Sequence, residues 1–272
     1  MSKHDIGNTP LKKLSGAKFD HFKAYIKDES VNPYGTIKDR RNKFVAEEAL
    51  RLGVDKLAMI TAGNNGYSLA KITGDKIKVT TIIDKTLSED IKKQLNETAY
   101  QVIEVNLQHK ILRPEELITI VREKDDEVIW DVTNGYEESY ISIVGELRDC
   151  NPDYIVVPIG SGGVYVGIIE GLNRYRLPTK VIGIGTQNTT SSFAGKLHTP
   201  WTPYTKIMTK FDAIGHKIYR LTEAEIKATW QQYQHVAKTE PSSAIIFDIM
   251  NKYKFKSDDT VVFLNTGRSI ST

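Results

Sequence analysis

Short runs of β-branched residues alternate with helix-length segments along almost all of the 272 residues, and no other feature restricts the fold as much. The strand-like runs are Phe22–Ile26, Lys56–Thr61, Lys78–Ile83, Gln101–Val105, Val128–Trp130, Tyr154–Pro158, Lys180–Ile184 and Thr260–Leu264. Between them lie the helix-length stretches Ile37–Leu52, Asn65–Ile72, Ser88–Ala99, Pro114–Lys124, Glu138–Arg148, Val164–Tyr175, Thr222–Lys238 and Ser242–Tyr253. Strands separated by helices return in the same direction. The sequence therefore predicts an α/β protein with largely parallel sheets covered by helices on both faces. The long segment Gln187–Gly215 fits neither pattern and is expected to be irregular, either a lid or entrance loop or a plain surface connection.

Composition narrows the function classes. At roughly 150 residues per domain the length allows one to two domains with a substantial core. The 37 basic and 34 acidic residues leave a net charge of +3, scattered rather than gathered, which argues against a nucleic-acid partner. The longest uncharged stretch, Tyr154–Ile169, falls short of the ~20 apolar residues of a membrane span and carries a glycine cluster. A single cysteine, Cys150, and six dispersed histidines offer neither an intrachain disulfide nor a helical metal pair. The N-terminus lacks the apolar core of a secretory signal. A cytoplasmic protein with no metal and no membrane contact is expected.

Ligands of open α/β sheets sit where strands end at their carboxyl edge, and four loops there are unusual. In KDESVNPYGTIKDR, Lys27–Arg40, Thr36 and Asp39 have capping-box spacing, which puts Thr36 at an N-cap and Lys38 in the first helical turn. The positive end of the helix disfavours an ammonium there and favours the neutral amine that a Schiff base needs, although a solvated lysine fits the same pattern. In TAGNNG, Thr61–Gly66, small residues and helix-start amides suit an anion such as a carboxylate. The following Gly66-Tyr-Ser68-Leu-Ala70 nearly matches a nucleophile elbow, but Ser68 falls inside the helix and no histidine or acid motif supports it. In IGSGGVYVG, Ile159–Gly167, the residues Gly160, Ser161, Gly162 and Gly163 lead from an apolar strand into a helix, an arrangement that cradles phosphate. Their spacing is neither that of a dinucleotide site nor that of a P-loop. The fourth loop, LNTGRS, carries Thr266, whose hydroxyl either meets a buried ligand atom or closes a turn.

In this order and at these intervals, the four loops resemble those of the fold-type II pyridoxal-phosphate enzymes, the group of cysteine synthase, threonine synthase and the serine/threonine dehydratases. The resemblance runs from IGNTPL, Ile6–Leu11, to the C-terminal SIST. It implies a tryptophan-synthase-β-like fold of two domains, each a largely parallel twisted sheet flanked by helices. Residues 1–33 and 148–272 would form a larger domain anchoring the cofactor, and 34–147 a smaller mobile domain with the lysine and the asparagine loop. It further implies that Lys38 carries pyridoxal 5'-phosphate and acts as the base, that Asn64 contacts its ring hydroxyl, that Gly160, Ser161, Gly162 and Gly163 hold its phosphate, and that Thr266 meets its ring nitrogen. Thr61, Ala62, Gly63 and Asn65 would receive the substrate carboxylate.

The implied activity is β-elimination or β-replacement on a small activated serine-like amino acid through an aminoacrylate, in a homodimer. Subfamily signals divide. IGNTPL, the ending ST and the compact length are similar to cysteine synthases, whereas TEPSSA at Thr239–Ala244, GSGGVYVGIIEGL and a threonine at 266 are similar to threonine synthases or dehydratases. TAGNNG departs from both, with Ala62 where a serine is usual, which keeps open a non-catalytic ligand-binding relative.

Overall fold

The computed structural model describes residues 5–107, 112–188, 192–197, 202–236 and 239–268. The C-terminal SIST and residues 189–191 and 198–201 of the segment expected to be irregular lie outside them. Two compact units are formed, one by Pro33–Tyr136 and the other by Gly7–Asn32 together with Glu137–Arg268.

In chain order the elements begin with β1 (Leu11–Lys13), β2 (Lys23–Asp28), α1 (Lys38–Leu52), β3 (Lys56–Ile60), α2 (Asn64–Thr73) and β4 (Lys78–Asp84). They continue with α3 (Glu89–Asn96), β5 (Gln101–Val105), α4 (Pro114–Val121), β6 (Trp130–Asp131), α5 (Ile141–Leu147), β7 (Tyr154–Ile159) and α6 (Gly163–Tyr175). The last are β8 (Lys180–Thr186), α7 (Thr205–Ala213), β9 (Lys217–Leu221), α8 (Glu223–Tyr233), α9 (Pro241–Ala244), α10 (Ile249–Lys252) and β10 (Thr260–Asn265).

The Pro33–Tyr136 unit holds a four-stranded sheet in the order β5-β4-β3-β6, parallel throughout. Alternate residues of β3 show why helices cover both of its faces. Leu57 and Met59 pack with Val45 and Ala49 of α1 and Leu69 of α2, while Ala58 packs with Leu117 and Val121 of α4.

The second unit holds a six-stranded sheet in the order β1-β2-β10-β7-β8-β9, parallel except where β1 meets β2. On one face Val156, Ile182, Ile184 and Phe263 close on Phe247 and Ile226. Tyr233 stacks on Phe247 with centroids 5.0 Å apart. The segment 137–147, which the sequence reading assigned to the smaller domain, packs in this unit because of two glycines one helical turn apart. A Cβ on Gly167 would stand 2.1 Å from the Glu137 carbonyl oxygen, and one on Gly171 would stand 2.7 Å from the Val144 side chain. Both glycines lie on the α6 face that receives α5.

Three differences from the sequence reading concern irregular or edge segments. The stretch expected to be irregular contains α7, held by buried Met208 and Phe211 three residues apart. The edge strands β1, LKK, and β9, KIYRL, carry only basic charges and were not anticipated. The helix expected over Ser242–Tyr253 breaks into α9, a 3-10 turn Ile245–Asp248 and α10.

Candidate active site

Lys38 is the first residue of α1 and is half-buried, its amide donating to Thr36 Oγ1 at 3.2 Å. The N-cap is Ile37 rather than the expected Thr36, whose hydroxyl serves the first amide of the helix instead. Beside Lys38, the fully buried Asp39 accepts the Tyr34 amide at 2.7 Å and the Ser68 hydroxyl at 2.6 Å. Burial, then the charge of Asp39 and the phenol of Tyr67, push the Tyr34 hydroxyl above its ordinary pKa. One turn further on, Asn42 Nδ2 donates to the Asn65 carbonyl at 3.0 Å. These contacts join the first turns of α1 and α2, so Lys38 and the TAGNNG loop share one end of their unit.

That loop follows β3. Thr61 Oγ1 accepts the amides of Gly63 and Gly66, each at 3.1 Å. The Thr61 side chain, expected at the substrate, thus fixes the shape of the loop. Gly63 is the N-cap of α2 at φ 119°, a conformation that residues with a Cβ rarely adopt. Ala62 is exposed and Asn64 buried. Asn65 is half-buried, and its Oδ1 is shielded from solvent without a hydrogen-bond partner among the described residues. Ser68 is no exposed nucleophile: it lies within α2 and donates to Asp39.

In the other unit, Gly160, Ser161, Gly162 and Gly163 join β7 to α6. Gly162 caps the helix at φ 102°. The first-turn amides of Gly163, Val164 and Tyr165 have no intrahelical acceptor, and the helix dipole adds positive potential to them. The loop is backed by the start of α7, which sequence reasoning missed. Thr202 Oγ1 donates to the Ser161 carbonyl, Tyr204 donates to Glu137 Oε2 at 2.8 Å, and a Cβ on Gly162 would come within 2.8 Å of Met208 Sδ.

The neighbouring parallel strand β10 ends at Asn265, so Thr266 stands at the same carboxyl edge as the glycine loop. Asn265 is fully buried and donates to Asp28 at 2.9 Å. Burial works to raise the Asp28 pKa, but hydrogen bonds from Ser30, Lys12 and Asn265 hold it below its ordinary value. Thr266 Oγ1 lies 2.8 Å from Ser243 Oγ, and Ser243 is fully buried. Ser243 belongs to TEPSSA, a motif that sequence reasoning used only as a subfamily signal. Glu240 of the same motif pairs with Lys196, and Ser242 Oγ accepts the Lys196 amide at 3.2 Å.

Among the described residues no group of three or more His, Cys, Asp or Glu is placed to hold a metal ion. No described helix is long and apolar enough to cross a membrane.

The family "Pyridoxal-phosphate dependent enzyme" matches residues 3–267. The chain belongs to this family. Its cofactor is pyridoxal 5'-phosphate, and the residues present fit that group: a lysine at a helix start, a glycine-built cradle of free helix amides, and a neutral hydroxyl on the adjoining strand end. Among curated relatives, an L-serine dehydratase of Saccharomyces cerevisiae (strain YJM789) is 26% identical over 182 residues, 58% of this chain and 53% of the relative. The chain spans about half the length of the curated relatives it matches. Among solved structures, O-ureido-L-serine synthase superposes with a TM-score of 0.81 at 17% identity, covering 98% of this chain and 90% of that one. A fungal L-serine ammonia-lyase from Rhizomucor miehei gives 0.79 at 16% identity, covering 96% and 93%. These likenesses support the two-sheet α/β fold expected of a fold-type II enzyme.

Proposed function

We propose that this pyridoxal-phosphate enzyme eliminates or replaces the β-substituent of a small, activated serine-like amino acid. The observation that carries the reading is the hydroxyl of Thr266, paired with Ser243 at the strand edge that also bears the glycine cradle. When bound, pyridoxal phosphate withdraws electrons from the substrate α-carbon. A hydroxyl beside its ring nitrogen, unlike a carboxylate, does not stabilise a protonated ring, so it tempers that withdrawal and suits prompt loss of a β-leaving group.

In this reading Lys38 holds the cofactor's aldehyde carbon and later takes the proton from the substrate α-carbon. The amides of Gly160, Ser161, Gly162 and Gly163 hold the phosphate, the Asn64 side chain meets the ring hydroxyl, and Thr266 meets the ring nitrogen. The loop of Thr61, Ala62, Gly63 and Asn65, its shape held by the Thr61 hydroxyl, takes the substrate carboxylate. The names of the similar proteins, L-serine dehydratase, L-serine ammonia-lyase and O-ureido-L-serine synthase, support a serine-related substrate.

The test is a titration of the cofactor-loaded protein with serine, threonine and O-acylated serines, following visible absorbance and released keto acid, with and without an added thiol. Replacement predicts a new amino acid only with the thiol present. Keto acid from serine or threonine, unaffected by the thiol, would instead assign the chain to the dehydratases. A protein that takes up the cofactor but responds to no amino acid would overturn the catalytic reading.

A further inference from the structure

The TEPSSA motif places a second hydroxyl behind Thr266. Ser243 Oγ lies 2.8 Å from Thr266 Oγ1 and 3.4 Å from the Gly267 carbonyl, and the Ser243 residue is fully buried. The shorter contact has the usual O–H···O length, whereas the longer is at the limit of a hydrogen bond. One proton is shared across a hydroxyl pair, and the side on which it lies decides what the other hydroxyl can do next. With Ser243 donating to Thr266 Oγ1, the Thr266 proton is turned away from Ser243. With Ser243 accepting, the Thr266 proton is spent on Ser243 and Thr266 has only a lone pair for a ligand atom.

The position of Ser243 is firmly set. Its amide donates to the Glu240 carbonyl at 2.9 Å, Glu240 pairs with Lys196, and Ser242 holds the Lys196 amide. On the other side, Asn265 Oδ1 accepts the Gly267 amide at 3.4 Å and its amide nitrogen is bound to Asp28. Both hydroxyls thus sit on anchored backbone, as a fixed proton direction requires.

We propose that Ser243 is a positioning residue: by donating to Thr266 Oγ1 it directs the Thr266 proton toward the cofactor's ring nitrogen, which is thereby held as an unprotonated hydrogen-bond acceptor. This rests on the assignment of Thr266 to the ring nitrogen made above. Without the Ser243 hydroxyl, the Thr266 proton loses the contact that directs it, and the ring nitrogen loses its donor.

The experiment is nitrogen-15 NMR of the holoprotein loaded with cofactor labelled at the ring nitrogen, comparing wild type with Ser243→Ala, Ser243→Cys and Thr266→Val. Denaturant unfolding of each variant is run without cofactor. In Ser243→Ala the resonance should move from the hydrogen-bonded toward the free pyridine position, and cofactor affinity should fall roughly two- to tenfold, as for one lost neutral hydrogen bond. Ser243→Cys, a weaker donor of similar shape, should fall between the two. If Thr266→Val moves the resonance and Ser243→Ala does not, the positioning role is wrong while the Thr266 assignment stands. If neither moves it, the Thr266 assignment itself has failed and takes the inference with it. A stability loss in Ser243→Ala with an unchanged resonance would reduce Ser243 to a packing role.

Discussion

The Ser68 hydroxyl of α2 donates to the Asp39 carboxylate of α1 at 2.6 Å, with both residues fully buried. This contact lies next to Lys38 and fastens the start of its helix to the helix that follows the asparagine loop. Removing one partner leaves a buried charge short of a donor, so Ser68→Ala should destabilise the protein by ~1.5–3 kcal/mol. Urea unfolding without cofactor measures this, and a loss below half a kcal/mol would show that the pair contributes little.

Lys38→Ala should abolish the covalent cofactor adduct and catalysis while leaving the fold intact, because Lys38 is only half-buried at the first position of α1. Borohydride reduction of the wild-type holoprotein followed by peptide mapping should place the adduct on Lys38. An adduct on any other lysine rejects the assignment.

The glycine cradle separates folding from cofactor binding at adjacent positions. Gly162 has φ +102° and lacks room for a Cβ beside Met208, so Gly162→Ala should cost ~1–3 kcal/mol of stability. At Gly163 a Cβ meets only the Tyr204 ring, at 3.6 Å, an ordinary contact. Gly163→Asp should therefore fold nearly normally yet lose cofactor, since its carboxylate replaces attraction of the phosphate at the helix N-terminus by repulsion. Equilibrium dialysis with pyridoxal phosphate beside a thermal melt distinguishes the two variants; undiminished affinity in Gly163→Asp would mean that the phosphate binds elsewhere.

Much of this arrangement was legible in the sequence because backbone-driven features announce themselves locally. YIVVP reads as a strand buried on both faces, and a glycine run followed by a helix pattern reads as an anion cradle. What stayed hidden depends on tertiary contacts. The pairing of Ser243 with Thr266 joins residues 23 apart in the chain, and nothing in TEPSSA by itself says which hydroxyl it will meet. Likewise the amides of Gly63 and Gly66 that meet the Thr61 hydroxyl depend on how the loop folds back, which TAGNNG as a string does not show. The edge strands β1 and β9 escaped notice because LKK and KIYRL carry the charges that edges tolerate. For α7 a signal existed: Met208 and Phe211 at helical spacing, obscured by the prolines before them.

Acid should weaken the fold through His216. This residue is 6% exposed, and its Nδ1 accepts the Val181 amide at 3.0 Å, which keeps the ring neutral. Burial first, then the Lys180 charge, lowers its pKa from 6.5 to about 4. The unfolded chain therefore binds a proton near pH 6.5 that the folded chain takes up only near pH 4, so the stabilisation present above 6.5 is lost as pH falls across that window. His216→Asn, which keeps an acceptor for Val181, should flatten the dependence of unfolding free energy on pH between those limits. An unchanged slope would assign the acid sensitivity to other groups.

Asn65 should behave as a residue kept for binding at the expense of stability. Its Oδ1 is buried without a hydrogen-bond partner among the described residues, while its backbone carbonyl is already held by Asn42. An unpaired buried polar atom disfavours folding, so Asn65→Ala should leave the stability of the cofactor-free protein unchanged or slightly raised. If its amide contacts the substrate carboxylate, the same change removes a hydrogen bond to a charged group, a loss of ~1.5–3 kcal/mol, or roughly ten- to a hundredfold in the amino-acid concentration needed for the spectral response. The resting visible spectrum should not change, because the cofactor's ring hydroxyl is assigned to Asn64, and Asn64→Ala should alter that spectrum instead. Unfolding curves and amino-acid titrations of the two variants decide the matter. Reversed spectral behaviour would shift the assignment of this loop by one residue, and a clear stability loss in Asn65→Ala would show that its side chain has a partner within the fold.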